Sequence, residues 1–211
     1  MLKPIAIGPS RNAHSILVYR DIASGMHCIR WGSHVKKTTG YKQRCIEKRK
    51  AFLRLRERYR RRGKVFVYVD ESGFELEASR RYGYSSKGQR VYGLISGHRR
   101  PRTSLLAARL AEGFKCPWLF EGTCNTQLFN TWLEHEVCPL LNDTHVVILD
   151  NVPFHKSAKT RQLIQACEAT LLFLPPYSPD LNPIEHDFAN IKKRREYCQD
   201  QSLDEVIASY Q

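Results

Sequence analysis

From Tyr41 onward the apolar positions recur at a helical interval. Tyr41, Cys45, Phe52, Leu55 and Tyr59 fall on one stripe, within about 80° of one another at roughly 100° per residue. Lys or Arg occupies the other faces, and Gly63 follows Arg60-Arg61-Arg62 as a stop signal. This predicts a basic helix over 41–63. The rhythm then changes. Val65-Phe66-Val67-Tyr68-Val69 is apolar without alternation and ends on Asp70, the pattern of a central strand covered on both faces. Strand-like pieces follow near 90–95 and 103–110. The stretch 127–141 reads as a helix through Leu128, Trp132, Val137 and Leu140, with Pro139 shaping its end. Val146-Val147-Ile148-Leu149 is a second buried strand and also ends on an acid, Asp150. A helix over 157–169 and a strand at Leu171-Leu172-Phe173-Leu174 come next. Four of the ten prolines then crowd into 175–183. Pro183 suits the first position of a helix reaching Tyr197, with Asn182 as its N-cap. Ser202-Leu203-Asp204-Glu205 forms a capping box for a short last helix. Strands alternating with helices in this way predict an α/β domain, a mixed sheet with helices on its faces.

Residues 1–40 carry neither rhythm, and Pro4, Gly8, Pro9, Gly25 and Gly32 interrupt them. They read as poorly ordered, or as the remnant of something longer. Charge separates the two parts more sharply still. Residues 1–64 hold 18 Lys/Arg against 3 Asp/Glu, a net of +15, whereas 65–211 hold 16 against 18, a net of −2. A basic segment on a near-neutral body calls for a polyanionic partner, most often nucleic acid. Twelve of the cations lie between Lys42 and Lys64, with only two Glu among them. The helix is therefore expected to contact phosphates, although a solvated cationic face would show the same composition. No apolar run is long enough for a membrane span or a secretory segment. The seven cysteines form no CxxC pair and suit reduced thiols in a cytoplasmic protein.

Two strands that each deliver an aspartate at their C-terminal ends could converge, since open α/β sheets build sites along that edge. Carboxylates brought together repel unless a divalent cation neutralises them, and hard oxygen donors select Mg²⁺ or Mn²⁺. Glu185, just inside the helix after the proline loop, could supply a third. Each residue also has a plainer role open to it. A strand-terminal Asp can be only a turn residue, and Glu185 at N3 could cap the Asn182 backbone N–H. A basic segment joined to acid-tipped strands has no common cause of that plainer kind.

Three strings carry a family resemblance. Val67-Tyr68-Val69-Asp70-Glu71-Ser72-Gly73-Phe74 is one, and Val147-Ile148-Leu149-Asp150-Asn151, extended to His155, is another. The third and most specific is Leu174-Pro175-Pro176-Tyr177-Ser178-Pro179-Asp180-Leu181-Asn182-Pro183-Ile184-Glu185. Together they resemble insertion-sequence transposases of the mariner superfamily, above all the bacterial branch called IS-six-thirty. The 34 residues between Asp150 and Glu185 match that superfamily's D-D-E spacing. Tyr82 to Arg90 resembles a further family segment in which Trp and Pro are more usual than Tyr84 and Ser86.

The resemblance implies a ribonuclease-H-like catalytic domain over 64–211, with 41–63 as a basic linker helix. Asp70, Asp150 and Glu185 would be catalytic and would hold two Mg²⁺ (or Mn²⁺) ions about 4 Å apart. Double-stranded DNA would be the partner, inserted into at TA, with a homodimer at synapsis and a cytoplasmic, nucleoid-associated location. Lys48, Arg58, Arg60, Arg61 and Arg62, with Lys87 and Arg90, are the expected DNA contacts. Asn151 and His155 are candidates for orienting the site, touching DNA, or simply making buried hydrogen bonds. The helix-turn-helix modules with which family members begin are not evident in 1–40, so a truncated copy is one expectation. An idle, DNA-binding or transposase-interfering protein is the alternative function.

Overall fold

The computed structural model describes residues 41–75, 85–90, 92, 102–198 and 200–210, and the backbone alone of 17–21 and 25–29. The chain divides into two compact units, Met1–Gly40 and Tyr41–Gln211. In the first, β1 (Leu17–Asp21) and β2 (Gly25–Ile29) pair antiparallel, Leu17 opposite Ile29. These five-residue strands are too short to announce themselves by alternation.

In the second unit the strands are β3 (Val65–Phe74), β4 (Thr103–Leu110), β5 (Gly113–Glu121), β6 (His145–Leu149) and β7 (Thr170–Phe173). They form one sheet in the order β5-β4-β3-β6-β7. β3, β4 and β5 are an antiparallel meander, while β6 and β7 run parallel to β3. The helices are α1 (Ile46–Arg61), α2 (Thr126–Trp132), α3 (Ala158–Ala166), α4 (Ile184–Tyr197) and α5 (Leu203–Ala208). α2 continues through a π turn, Leu133–Val137, into a 3-10 turn at Cys138–Leu140 that contains Pro139. The mixed α/β architecture expected from the sequence is the one observed.

Strand residues alternate between faces, and that alternation sorts the core. Val67, Val69, Leu106, Ala108, Val147 and Leu149 meet Phe129 and Trp132 of α2 and Leu163 and Ile164 of α3. Leu105 and Ala107 face the other way, against Ile184, Phe188 and Ile191 of α4 and Val206 and Ile207 of α5. Also opposed to the α2 side, α1 seats Phe52 against Val146, Ile148 and Leu174. Even-numbered residues of β3 and β6 thus look toward α1 and α4.

Several boundaries differ from the sequence reading. The first helix starts at Ile46 rather than Tyr41, which is exposed. β5 was not visible in the sequence because it breaks strand rules as an edge strand can. Leu106 pairs with Trp118 and Ala108 with Lys115, so Cys116 and Pro117 together oppose Ala107 in a bulge. Cys116 takes φ +55° there. The strand-like piece near 90–95 lies mostly outside the described residues. The capping box at Ser202 and Glu205 forms as read. The six described cysteines form no disulfide, and no described helix is long and apolar enough to cross a membrane.

α4 is pinned from within. The buried Asp187 accepts hydrogen bonds from Arg109 of β4 and, at 2.7 Å, from the Tyr210 hydroxyl. Losing one partner of a fully buried pair costs roughly 3–5 kcal/mol, but Arg109 is about a third exposed and partly screened. Arg109→Ala is therefore expected to destabilise the fold by about 2 kcal/mol in urea unfolding. A change within error would show that Tyr210 alone holds Asp187.

Candidate active site

Register brings the two aspartates level. β3 and β6 pair in parallel as far as Tyr68↔Ile148, and two residues further along each chain stand Asp70 and Asp150. There the parallel ladder stops. β6 ends at Leu149, while β3 continues against β4 to Phe74↔Thr103. Asp70 is consequently not the end of its strand, as the sequence suggested, but the sixth of its ten residues. The polar run Asp70-Glu71-Ser72-Gly73 imitates a turn, yet its backbone is held by β4. A Cβ at Gly73 would meet only the Arg102 guanidinium, the far end of an exposed and flexible side chain.

Glu185 arrives from the first turn of α4, after a loop stiffened by prolines. The three carboxyl residues line a single cavity of about 630 Å³, shared with Tyr41, Asn151, Tyr177 and Asn182. Their exposures differ: Asp70 is buried at 9%, Asp150 is half-buried and Glu185 is exposed. Asp70 accepts from the Glu71 backbone N–H and from the Asn182 side-chain amide, both at 2.8 Å. Asp150 Oδ1 accepts from the Val152 N–H at 3.1 Å and from His155 Nδ1 at 2.6 Å.

Asn182 corrects the sequence reading. Pro183, not Asn182, occupies the N-cap position, with no side-chain cap, and the buried Asn182 amide is spent on Asp70 instead. A capping Asn and a buried donor to a distant carboxylate look alike in sequence. Only the fold separates them. Asn151 donates to the Leu174 carbonyl and fastens the loop after β6 to the residue that follows β7. His155 is fully buried, which removes DNA contact as a role. Tyr41 and Tyr177, half-exposed with ring centroids 6.0 Å apart, wall the cavity and were not singled out by the sequence as site residues. Tyr177 adopts φ +53°, a left-handed conformation uncommon for a bulky side chain.

Burial, first of all, pushes the Asp70 carboxyl well above its ordinary range, and the nearby Glu71, Asp150 and Glu185 charges push it further. Burial also raises Glu71. This crowding is the condition that a hard divalent cation relieves, and an all-carboxylate donor set is the right chemistry for Mg²⁺ or Mn²⁺. The side chains share a cavity without closing into a coordination shell. Among the described residues, no three His, Cys, Asp or Glu side chains stand close enough to enclose a metal.

A raised native pKa for an acid means that the folded state keeps its proton longer than the unfolded chain. Stability from Asp70 is then full below its ordinary value of 3.8 and is lost as pH rises through the higher native value. Metal-free Asp70→Asn protein is thus expected to melt a few degrees above wild type at neutral pH. The gap should vanish at pH below 3.8. Calorimetry across pH checks this, and a variant that melts lower at neutral pH would contradict it.

The expected DNA-contacting cations lie elsewhere. Lys48, Arg58, Arg60, Arg61 and Arg62 are exposed along and just beyond α1, and Lys87 and Arg90 are exposed in 85–90. Arg60 and Arg61 fork onto Glu57, holding its carboxyl at about 2. Arg58 and Arg62 enter no ion pair among the described residues. Arg49 ties α1 to the proline loop through a two-pronged bridge to Asp180, at 2.8 and 2.6 Å.

This five-stranded mixed sheet flanked by helices is a ribonuclease-H-like fold. The sequence profile of the DDE superfamily endonucleases matches residues 65–207, and the chain belongs to that family. Solved structures agree on the fold. A Mos1 mariner paired-end complex with Mg is similar at TM-score 0.61 and 20% identity over 77% of this chain and 52% of that one. The Mos1 strand transfer complex gives 0.59 and 21% over 78% and 53%. The Mos1 catalytic domain alone gives 0.51 and 17% over 76% and 75%. The chain spans about half the length of the Mos1 transposase chains in those complexes. No curated protein matches it by sequence.

Proposed function

We propose that this chain carries the catalytic centre of a mariner-superfamily transposase of the IS-six-thirty branch, cutting DNA at element ends and joining them to target DNA. One observation carries the reading: Asp70, Asp150 and Glu185, from three separate stretches of sequence, line one cavity. Those residues would hold two Mg²⁺ or Mn²⁺ ions, which when bound supply an activated attacking oxygen and a stabilised leaving oxygen. The chain's own part is positional. Asn182 fixes Asp70, the loop after β6 fixes Asp150, and the proline loop sets Glu185 at the cavity rim. Water attacks when an end is nicked, and the freed 3′-hydroxyl attacks when that end joins target. No covalent enzyme intermediate is required. The basic face of α1 holds duplex phosphates, and 1–40 is read as part of a DNA-binding region. Structures of Mos1 with its transposon ends and with Mg or Mn support the assignment by kinship of fold. TA as the target and a homodimer at synapsis belong to the same proposal.

The test is strand transfer. A pre-cleaved element-end duplex with a free 3′-hydroxyl is incubated with plasmid and Mn²⁺, and the junctions are sequenced. Joined products at TA are expected. Plasmid hydrolysis without joining would make the chain a nuclease rather than a transposase.

A further inference from the structure

The proposed chemistry uses Asp150 but leaves unexplained what stands behind it. Asp150 lies just past the end of β6, where no ladder constrains it. Its Oδ1 is nonetheless held by two donors, the Val152 N–H and His155 Nδ1. An ionised carboxylate only accepts, so Nδ1 bears the proton in that 2.6 Å contact. The other ring nitrogen, Nε2, then points away from the cavity at Glu71 Oε2, 3.7 Å distant. Both Nε2 and Oε2 are buried, and neither makes a hydrogen bond, their 3.7 Å separation being a charge contact. A buried polar atom left alone costs about 1–3 kcal/mol. The two are complementary when one proton lies between them, since a bare imidazole nitrogen and a carboxylate oxygen both accept.

The ring has no freedom to turn elsewhere. His155 has no solvent exposure, and Phe129 and Phe154 grip it with centroids 4.3 and 4.4 Å away. Glu71 in turn is set by β3. Successive strand residues point to opposite faces, so Asp70 looks toward α4 and the cavity while Glu71 looks toward α2 and His155. One strand therefore supplies a carboxylate to the cavity and, from the next position, a carboxylate to its supporting layer.

We infer that Glu71 and His155 are positioning residues for Asp150: Glu71 orients the imidazole, and the imidazole locks Oδ1, leaving Oδ2 to the cavity. Among the described residues Oδ2 has no protein partner. The inference rests on the carboxylate reading above, which needs Asp150 as a metal ligand, and it adds two residues that never meet metal or DNA. Supporting groups of this kind typically change metal affinity 10–100-fold when removed.

Mn²⁺ affinity of the full chain, read from the free-ion electron paramagnetic resonance signal, tests it without any assay of cleavage. Asp150→Asn should remove the strongest binding. His155→Leu is expected to weaken Mn²⁺ binding by about 10–100-fold. His155→Asn, whose amide can replace Nδ1–H, should recover part of that. Glu71→Gln keeps the shape of Glu71 and threatens folding least, and should weaken binding severalfold. Thr160→Val, in a buried polar cluster with Asn130 and Ser157, should lower the melting temperature and leave Mn²⁺ affinity unchanged. Wild-type affinity in Glu71→Gln and in folded His155→Leu, with binding lost in Asp150→Asn, would overturn the positioning role and leave the carboxylate reading standing. Unchanged binding in Asp150→Asn would overturn the carboxylate reading, and the inference with it.

Discussion

Asp70→Asn, Asp150→Asn and Glu185→Gln should each reduce metal-dependent nicking of supercoiled DNA by about 10³-fold or more, as the loss of several kcal/mol of transition-state stabilisation requires. The three positions differ in ways that make the comparison informative. Asp70 is buried and clamped, Asp150 is half-buried with one oxygen held, and Glu185 is exposed on a helix. A purely structural set would give three different stability effects and no common effect on rate. A shared catalytic set gives a common collapse in rate with divergent stability: a gain for Asp70→Asn and almost no change for Glu185→Gln. If Glu185→Gln lowers the melting temperature and nicking persists, the glutamate serves the helix end and the triad is wrong.

The second large effect concerns α1. Binding of duplex DNA should weaken steeply with salt, log K falling by about 0.9 per phosphate neutralised for each unit of log salt. Arg58 and Arg62 enter no ion pair among the described residues, so changing both to Gln should lower the slope by about 2. Arg60 and Arg61 already share Glu57, and their removal should matter less per residue. Fluorescence anisotropy over a salt series gives the slopes directly. Equal slopes for wild type and the Arg58/Arg62 double variant would move the DNA surface off this helix. Arg49 should stand apart from the others. It is bound to Asp180, so Arg49→Gln should disturb the proline loop more than the salt slope.

What the sequence showed of this molecule follows from how each element meets its neighbours. β3 and β6 are central strands and β7 a half-buried edge strand, and all three read as apolar runs. The acids at 70 and 150 were legible because each interrupts such a run. β5 was hidden by Pro117 and the Cys116 bulge, which an edge strand tolerates and a central one does not. The continuation of β3 past Asp70 was hidden because the site itself makes that stretch polar. Asn182 stood in a string that pointed to the family, yet its bond to Asp70 spans 112 positions and no local pattern encodes it. The pairing of Glu71 with His155 has the same origin. It depends on the register of β3 and on the turn Pro153–Lys156, both set by tertiary packing.

The central claim is that Asp70, Asp150 and Glu185 together hold the metal. The most direct measurement is a crystal of the chain grown with a DNA-end duplex and Mn²⁺, with data collected at the manganese absorption edge. The account expects anomalous peaks in the cavity between β3, the loop after β6 and the start of α4, with oxygens of all three residues at bonding distance. Manganese bound elsewhere, with these three carboxylates contacting only protein or solvent, would contradict it.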